Sequence, residues 1–137
     1  NESTGNYASV NTYGYLGKYQ FAATTLSLVG VYNTNTFIGS AALQEKAFVA
    51  YTSRNKWILR RDIKRFVGTT INNVLVTESG ILAAAHLAGA GNVKKYLRSN
   101  GHFFFKDAFG TTIQTYLKKF SGYDTSCIAP NRKAKAV

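Results

Sequence analysis

The stretch Thr77-Glu78-Ser79-Gly80-Ile81-Leu82-Ala83-Ala84-Ala85-His86-Leu87-Ala88-Gly89-Ala90-Gly91 decides how this chain is read. Thr77 offers a side-chain oxygen to cap the N–H groups of a helix start, and Glu78 stands where the helix dipole favours an acid. Apolar residues then run with helical spacing through Leu82 and Leu87. Gly89-Ala90-Gly91 must interrupt that helix, because glycine favours caps and turns over helix interiors. A short helix follows from about Asn92 to Arg98 and ends near Gly101. Two helices joined by a tight turn are the expectation.

Working outward, the same period recurs. Phe21, Leu26 and Val29 share a face of a helix predicted over Lys18 to Val29, with Gly30 as its stop. Ser40 is suited to cap a second helix that carries Leu43, Ala47, Phe48 and Tyr51. Trp57, Ile58, Ile63, Phe66 and Val67 continue an apolar face, while Arg60, Arg61, Lys64 and Arg65 form a cationic one that ends at Gly68. A further helix from Thr111 to Phe120 places Ile113, Tyr116, Leu117 and Phe120 inward. By contrast Asn1 to Gly17 is rich in Asn, Gly, Ser, Thr and Tyr and predicts irregular chain or a small hairpin. The fold class expected is mainly α, and the division expected is one domain over 1–123 followed by a loosely held basic tail over 124–137.

Composition bounds the function. With 137 residues and 45% hydrophobic content the chain can form one ordinary core. Seventeen Lys plus Arg against six Asp plus Glu give a net charge of +11, which favours polyanions such as nucleic acid, anionic lipid or acidic envelope polymers. Charge alone does not choose among them, but no helix-turn-helix or zinc pattern points to specific nucleic-acid recognition. Cys127 is the single cysteine, so no internal disulfide can form and stability must come from packing. Apolar runs such as Ile81 to Ala90 fall short of the roughly 20 residues needed to span a bilayer. The first residue is Asn, which leads to the expectation of a processed product or a piece of a larger chain or virion assembly.

Cleaving a glycosidic bond requires a carboxylic acid that keeps its proton near neutral pH and hands it to the departing oxygen. The candidates are Glu2, Glu45, Asp62, Glu78, Asp107 and Asp124. Glu2 has the most suitable neighbourhood. It opens Glu2-Ser3-Thr4-Gly5-Asn6-Tyr7 and is followed by Tyr13-Gly14-Tyr15-Leu16-Gly17-Lys18-Tyr19-Gln20-Phe21, aromatic and glycine-rich surroundings that can desolvate a carboxyl and stack on sugar rings. The tyrosines serve packing as readily as sugar stacking. Glu78 is accounted for by its place at a helix start, and Glu45 is a minor candidate for a hydrolase nucleophile. His86 lies on an apolar helix face, as a core histidine would, and His102 has no metal-like spacing to it, so no metal site and no cofactor are predicted.

These residues resemble a family. Glu2-Ser3 is followed by Gly17-Lys18-Tyr19-Gln20 where lytic transglycosylases carry Gly-Leu-Met-Gln, and by Ala85-His86-Leu87-Ala88-Gly89 where they carry Ala-Tyr-Asn-Ala-Gly. The stretch from Glu2 to Phe21 is also similar to resuscitation-promoting factors, with their Glu-Ser-Gly-Gly-Asn and Gly-Tyr-x-Gly-Gly-Leu-Gln-Phe. The resemblance runs over roughly 2–123 and takes in phage and bacterial wall hydrolases of the lysozyme-like superfamily. It implies an α+β lysozyme-like fold with helices around a saccharide cleft, and cleavage of peptidoglycan glycan strands at the cell envelope, outside the cell or from a virion. It implies Glu2 as the catalytic acid, Gln20 as a sugar contact, and Gly17 and Gly89 as backbone shapers. Tyr15 and Tyr19, by their stacking rings, and His86 and Gly89, by their place in the third motif, complete the expected substrate-binding set.

Two departures matter. His86 stands where the family has the Tyr that helps hold the catalytic Glu, and Leu87 replaces its Asn. A protonated His86 beside Glu2 would weaken the acid, whereas a neutral imidazole would only orient it. In these families the catalytic Glu ends a helix, so residues ahead of Asn1 in a parent chain, or a partner, are expected to supply that wall of the cleft. An inverting hydrolase would need a second carboxylate about 6.5–9.5 Å away, and none follows Glu2. The family's transglycosylases dispense with it, using one Glu as acid and then base while the substrate closes a 1,6-anhydro ring. The rival expectations are a lysozyme-type hydrolase of the same bond and a noncatalytic peptidoglycan-binding module.

Overall fold

The computed structural model describes residues 21, 23–103, 114, 117 and 127–136. Their elements, in chain order, are helices α1 (Ala23–Leu28), α2 (Thr34–Ile38), α3 (Ala41–Ile58) and α4 (Arg60–Phe66), strands β1 (Thr70–Ile71) and β2 (Val74–Leu75), and helices α5 (Glu78–Ala88) and α6 (Ala90–Arg98). The chain is mainly helical, as the periodicity requires. The structure divides into two units, one of residues 1–51 with 133–137 and one of residues 52–132, with the boundary inside α3.

In the first unit the helix ends follow from local chemistry. Val31 N–H returns to the Leu26 carbonyl at 3.0 Å, closing α1 at Gly30. Asn33 caps α2 by accepting from the Thr36 N–H at 3.1 Å, and Ser40 caps α3 by accepting from the Leu43 N–H at 3.1 Å. The α2 turn is an addition to the sequence reading, since five residues of Thr, Asn, Phe and Ile carry no periodic signal. Its C-terminal carbonyls are met by the buried Gln44, whose amide donates to Phe37 O at 3.0 Å and Ile38 O at 3.3 Å. Phe21, Leu26, Val29, Val31, Phe37, Ala47, Ala50, Tyr51 and Ala136 form the core of this unit. Phe21 meets Phe37 and Tyr51 edge to face, with centroids 5.8 and 5.9 Å apart.

In the second unit α3 passes into α4 at Leu59, and the helical hydrogen bonds carry on across it, from Leu59 N–H to Asn55 O and from Ile63 N–H to Leu59 O, each 2.8 Å. A hairpin that the sequence reading did not place follows at Thr70–Leu75. Its register pairs Thr70 with Leu75 and Ile71 with Val74, so Ile71 and Val74 face inward while Thr70 and Leu75 face out. The turn is Asn72-Asn73, both at positive φ (50° and 65°), a conformation that Asn tolerates better than most residues and that suits a two-residue hairpin. The Asn72 amide donates to the Tyr96 hydroxyl at 3.1 Å and to Gly101 O at 3.3 Å, pinning the turn to the end of α6. The small hairpin expected within Asn1–Gly17 lies outside the described residues.

The second core gathers Leu59, Ile71, Val74, Val76, Ile81, Ala84, Ala85, Ala88, Val93, Tyr96, Leu97 and Leu117. Of the helix expected over Thr111 to Phe120, Gln114 and Leu117 are described and both are helical. Leu117 comes so close to α5 that a Cβ at Gly80 would stand 3.0 Å from its carbonyl oxygen and 3.2 Å from its Cα. A side chain at position 80 would press on the Leu117 backbone, and glycine lets the two segments approach without that strain. The end of the chain is tied down where its composition suggested a loose tail. Asn131 N–H donates to Ser53 O at 3.0 Å and the Ser53 hydroxyl donates to Ala129 O. In the first unit Ala136 N–H donates to Val29 O at 2.8 Å and the Lys135 ammonium to Leu28 O at 3.0 Å.

Candidate functional site

Among the sequence-derived site residues, His86 and Gly89 are described, and both belong to the junction of α5 and α6. Thr77 caps α5 by accepting from the Gly80 N–H at 3.1 Å. The helix then buries Ile81, Leu82, Ala84, Ala85 and Ala88, which leaves His86 in the last turn, half-buried, with its Nδ1 closed off from solvent.

Gly89 ends α5 and begins α6 at φ 87° and ψ 145°. Its N–H donates to Ala85 O at 2.9 Å and its carbonyl accepts from Val93 N–H at 3.3 Å. A Cβ there would meet nothing within 4 Å, so backbone conformation and not space calls for glycine. The Asn92 amide closes the junction by donating to Ala88 O at 2.7 Å. Glycine content predicts the interruption where it is found, and α6 begins at Ala90, two residues ahead of the predicted Asn92. Small Ala85 and Ala88 let the turn fold back tightly, and His86 is carried on that turn. Glu2, Tyr15, Tyr19, Gln20 and Gly17 lie outside the described residues, and so does the expected approach of His86 to Glu2.

Of the other acids, two have defined roles. Asp62 is buried and takes a two-pronged contact from Arg98, Nε to Oδ1 at 2.9 Å and Nη2 to Oδ2 at 3.2 Å. Hydrogen bonding to Asp62, and then its negative charge, raise the Arg98 guanidinium above its ordinary value. This clamp between α4 and α6 was missed from sequence, where Asp62 was counted among candidate acids. Glu78 sits in the first turn of α5 and pairs with Lys56 at 3.3 Å, in keeping with the structural role expected for it. Glu45 is half-buried on α3.

Among the described residues no cluster of His, Cys, Asp and Glu could hold a metal ion, and no helix is long and apolar enough to cross a membrane. His102 is exposed with Nδ1 2.6 Å from Ser99 O. No known family model matches the chain, and neither does any characterised protein or solved structure.

Proposed function

We propose that the chain is a peptidoglycan-degrading glycosidase with a lysozyme-like fold, cleaving the β-1,4 bond between N-acetylmuramic acid and N-acetylglucosamine as a lytic transglycosylase. The observation that carries the reading is the ordered set Glu2-Ser3, Gly17-Lys18-Tyr19-Gln20 and Ala85-His86-Leu87-Ala88-Gly89. Its third member is the α5–α6 junction, where a half-buried histidine sits one turn from a glycine-shaped backbone reversal. The engagement of the buried Asp62 by Arg98 adds support, because it ties one of the six acids into a structural clamp.

In this mechanism Glu2 first gives its proton to the glycosidic oxygen as the bond to the muramic C1 breaks. The substrate N-acetyl group stabilises the cationic centre. The Glu2 carboxylate then takes the proton of the muramic 6-hydroxyl as that oxygen closes the 1,6-anhydro ring. Gln20, Tyr19 and Tyr15 would hold the sugars in a cleft between helices, a neutral His86 would orient the Glu2 carboxyl, and Gly89 would shape the wall behind it. The site of action is the cell envelope or its exterior, reached by secretion or on a virion.

Glu2→Gln keeps the size of the side chain and removes the proton. Release of soluble fragments from purified peptidoglycan should fall by roughly 10²–10⁴-fold while the melting temperature stays unchanged. Undiminished release from Glu2→Gln contradicts the assignment of the acid. Binding to peptidoglycan without cleavage by either protein would make the domain a noncatalytic module.

A further inference from the structure

The cationic face of α3 and α4 is better built than a solvated charge run. Arg54, Trp57, Arg61 and Lys64 recur at three- and four-residue steps, so they line one side of the nearly continuous helix, with Arg60 and Arg65 beside them. Arg60, Arg61, Lys64 and Arg65 are exposed. The fold then brings in a cation from far along the sequence. The exposed Arg132 places its guanidinium carbon 5.2 Å from the Trp57 ring centre, and the Arg54 guanidinium holds that segment by donating to Arg132 O at 2.9 Å.

Two further guanidiniums lie on aromatic rings, Arg60 at 3.7 Å from Trp57 and Arg65 at 4.9 Å from Phe66. Arg60 is also fixed by donating to Trp57 O at 2.9 Å. The arginines are thereby partly pre-ordered, which lowers the entropy lost when they grip a ligand. Among the described residues this charge has no carboxylate partner. Asp62, the one acid of α4, is buried and taken by Arg98, and no described carboxylate reaches Arg54, Arg60, Arg61, Lys64, Arg65 or Arg132.

We propose that this stripe docks a linear polyol-phosphate polymer of the bacterial envelope, reading its phosphodiester groups with arginine forks. Guanidinium geometry matches phosphate oxygens in pairs. From Arg54 to Lys64 the helix rises about 15 Å at 1.5 Å per residue, long enough to meet several successive phosphates of such a chain. A single-stranded nucleic acid fits less well, because base binding depends on open aromatic faces and the rings of this stripe already carry guanidiniums. The choice of an envelope polymer among polyanions rests on the peptidoglycan reading, whereas the phosphate-binding surface stands on its own geometry.

The test compares the full chain with two double variants of equal charge, Arg61→Gln/Lys64→Gln on the stripe and Lys94→Gln/Lys95→Gln on α6. Binding of deacylated poly(glycerol phosphate) is followed by calorimetry over a range of salt, beside duplex DNA, oligo(dT) and vesicles of phosphatidylcholine and phosphatidylglycerol in equal parts. The stripe variant should lose at least about tenfold in affinity for the polymer and about 2 in the slope of log affinity against log salt, with melting unchanged. The control variant should stay within about threefold. Equal losses in both variants would reduce the effect to net charge and overturn the proposal, as would tighter stripe-dependent binding of DNA or vesicles than of the polymer. Cleavage of peptidoglycan stripped of phosphate polymers separates the two readings. It should be the same for the stripe variant and the parent, and its absence in both, with polymer binding intact, would count against the glycosidase and not against the docking surface.

Discussion

The two units of the molecule are stabilised differently. The first is built on aromatic bulk, with Phe21, Phe37 and Tyr51 meeting edge to face and the end of the chain hydrogen-bonded along Val29. The second packs small and aliphatic residues, Ala84, Ala85 and Ala88 with Ile81, Val93 and Leu97, and adds the Asp62–Arg98 and Lys56–Glu78 pairs. Large rings fill space around short helices that propensity alone would not hold, whereas small residues let α5 and α6 close on each other and keep their junction sharp. The catalytic reading needs such a junction, since His86 and Gly89 must sit at fixed places. Sensitivity to substitution should therefore follow volume in the first unit and backbone geometry and charge pairing in the second.

The largest expected effect is in the first unit. Phe37 is wholly buried, and Phe37→Ala should cost about 3–5 kcal/mol in urea unfolding. Amide exchange should rise first in α1 and α2, and uniform exchange across both units would break the contrast. Next comes the charge clamp. Arg98→Ala strands a buried carboxylate, so it should lower the unfolding midpoint more than the double variant Asp62→Asn/Arg98→Ala, in which no such charge is left. Equal midpoints would mean that the stranded Asp62 carboxylate carries no burial penalty. The pH dependence has a definite sign. The Arg98 value is raised in the folded state, so its contribution is complete below the unfolded value and is lost only as pH rises through the strongly alkaline range. The clamp should be insensitive to pH around neutrality.

Gly89→Ala should cost about 1–3 kcal/mol, because φ 87° with ψ 145° is essentially a glycine conformation. Wall-degrading activity should fall further than stability does, measured at a temperature where the variant is folded. The smallest effect is at Thr77, where replacing the cap by Ala should remove about 1 kcal/mol and leave activity intact.

Legibility in the sequence tracked the length of the signal. The long helices α3 and α5 and the caps Ser40 and Thr77 were readable, because periodicity and cap chemistry repeat over several turns. The α2 turn and the Thr70–Leu75 hairpin were not, since two- and five-residue elements offer too few positions for a period to emerge. Asn72-Asn73 between β-branched residues was the available cue for the hairpin. The Asp62–Arg98 clamp and the arrival of Arg132 at Trp57 depend on tertiary folding and leave no local trace. Of the candidate site, Gly89 was predicted from its turn role and is found in it, and His86 from its motif position and is found half-buried.

The central claim is the chemistry of Glu2, and product identity tests it most directly. Mass spectrometry of muropeptides released from purified peptidoglycan should show 1,6-anhydro-muramic ends with the parent chain and none with Glu2→Gln. Ordinary reducing ends would contradict the transglycosylase assignment, make the chain a hydrolase and turn attention to Glu45 as its second carboxylate. Release that persists without Glu2 would contradict the account altogether.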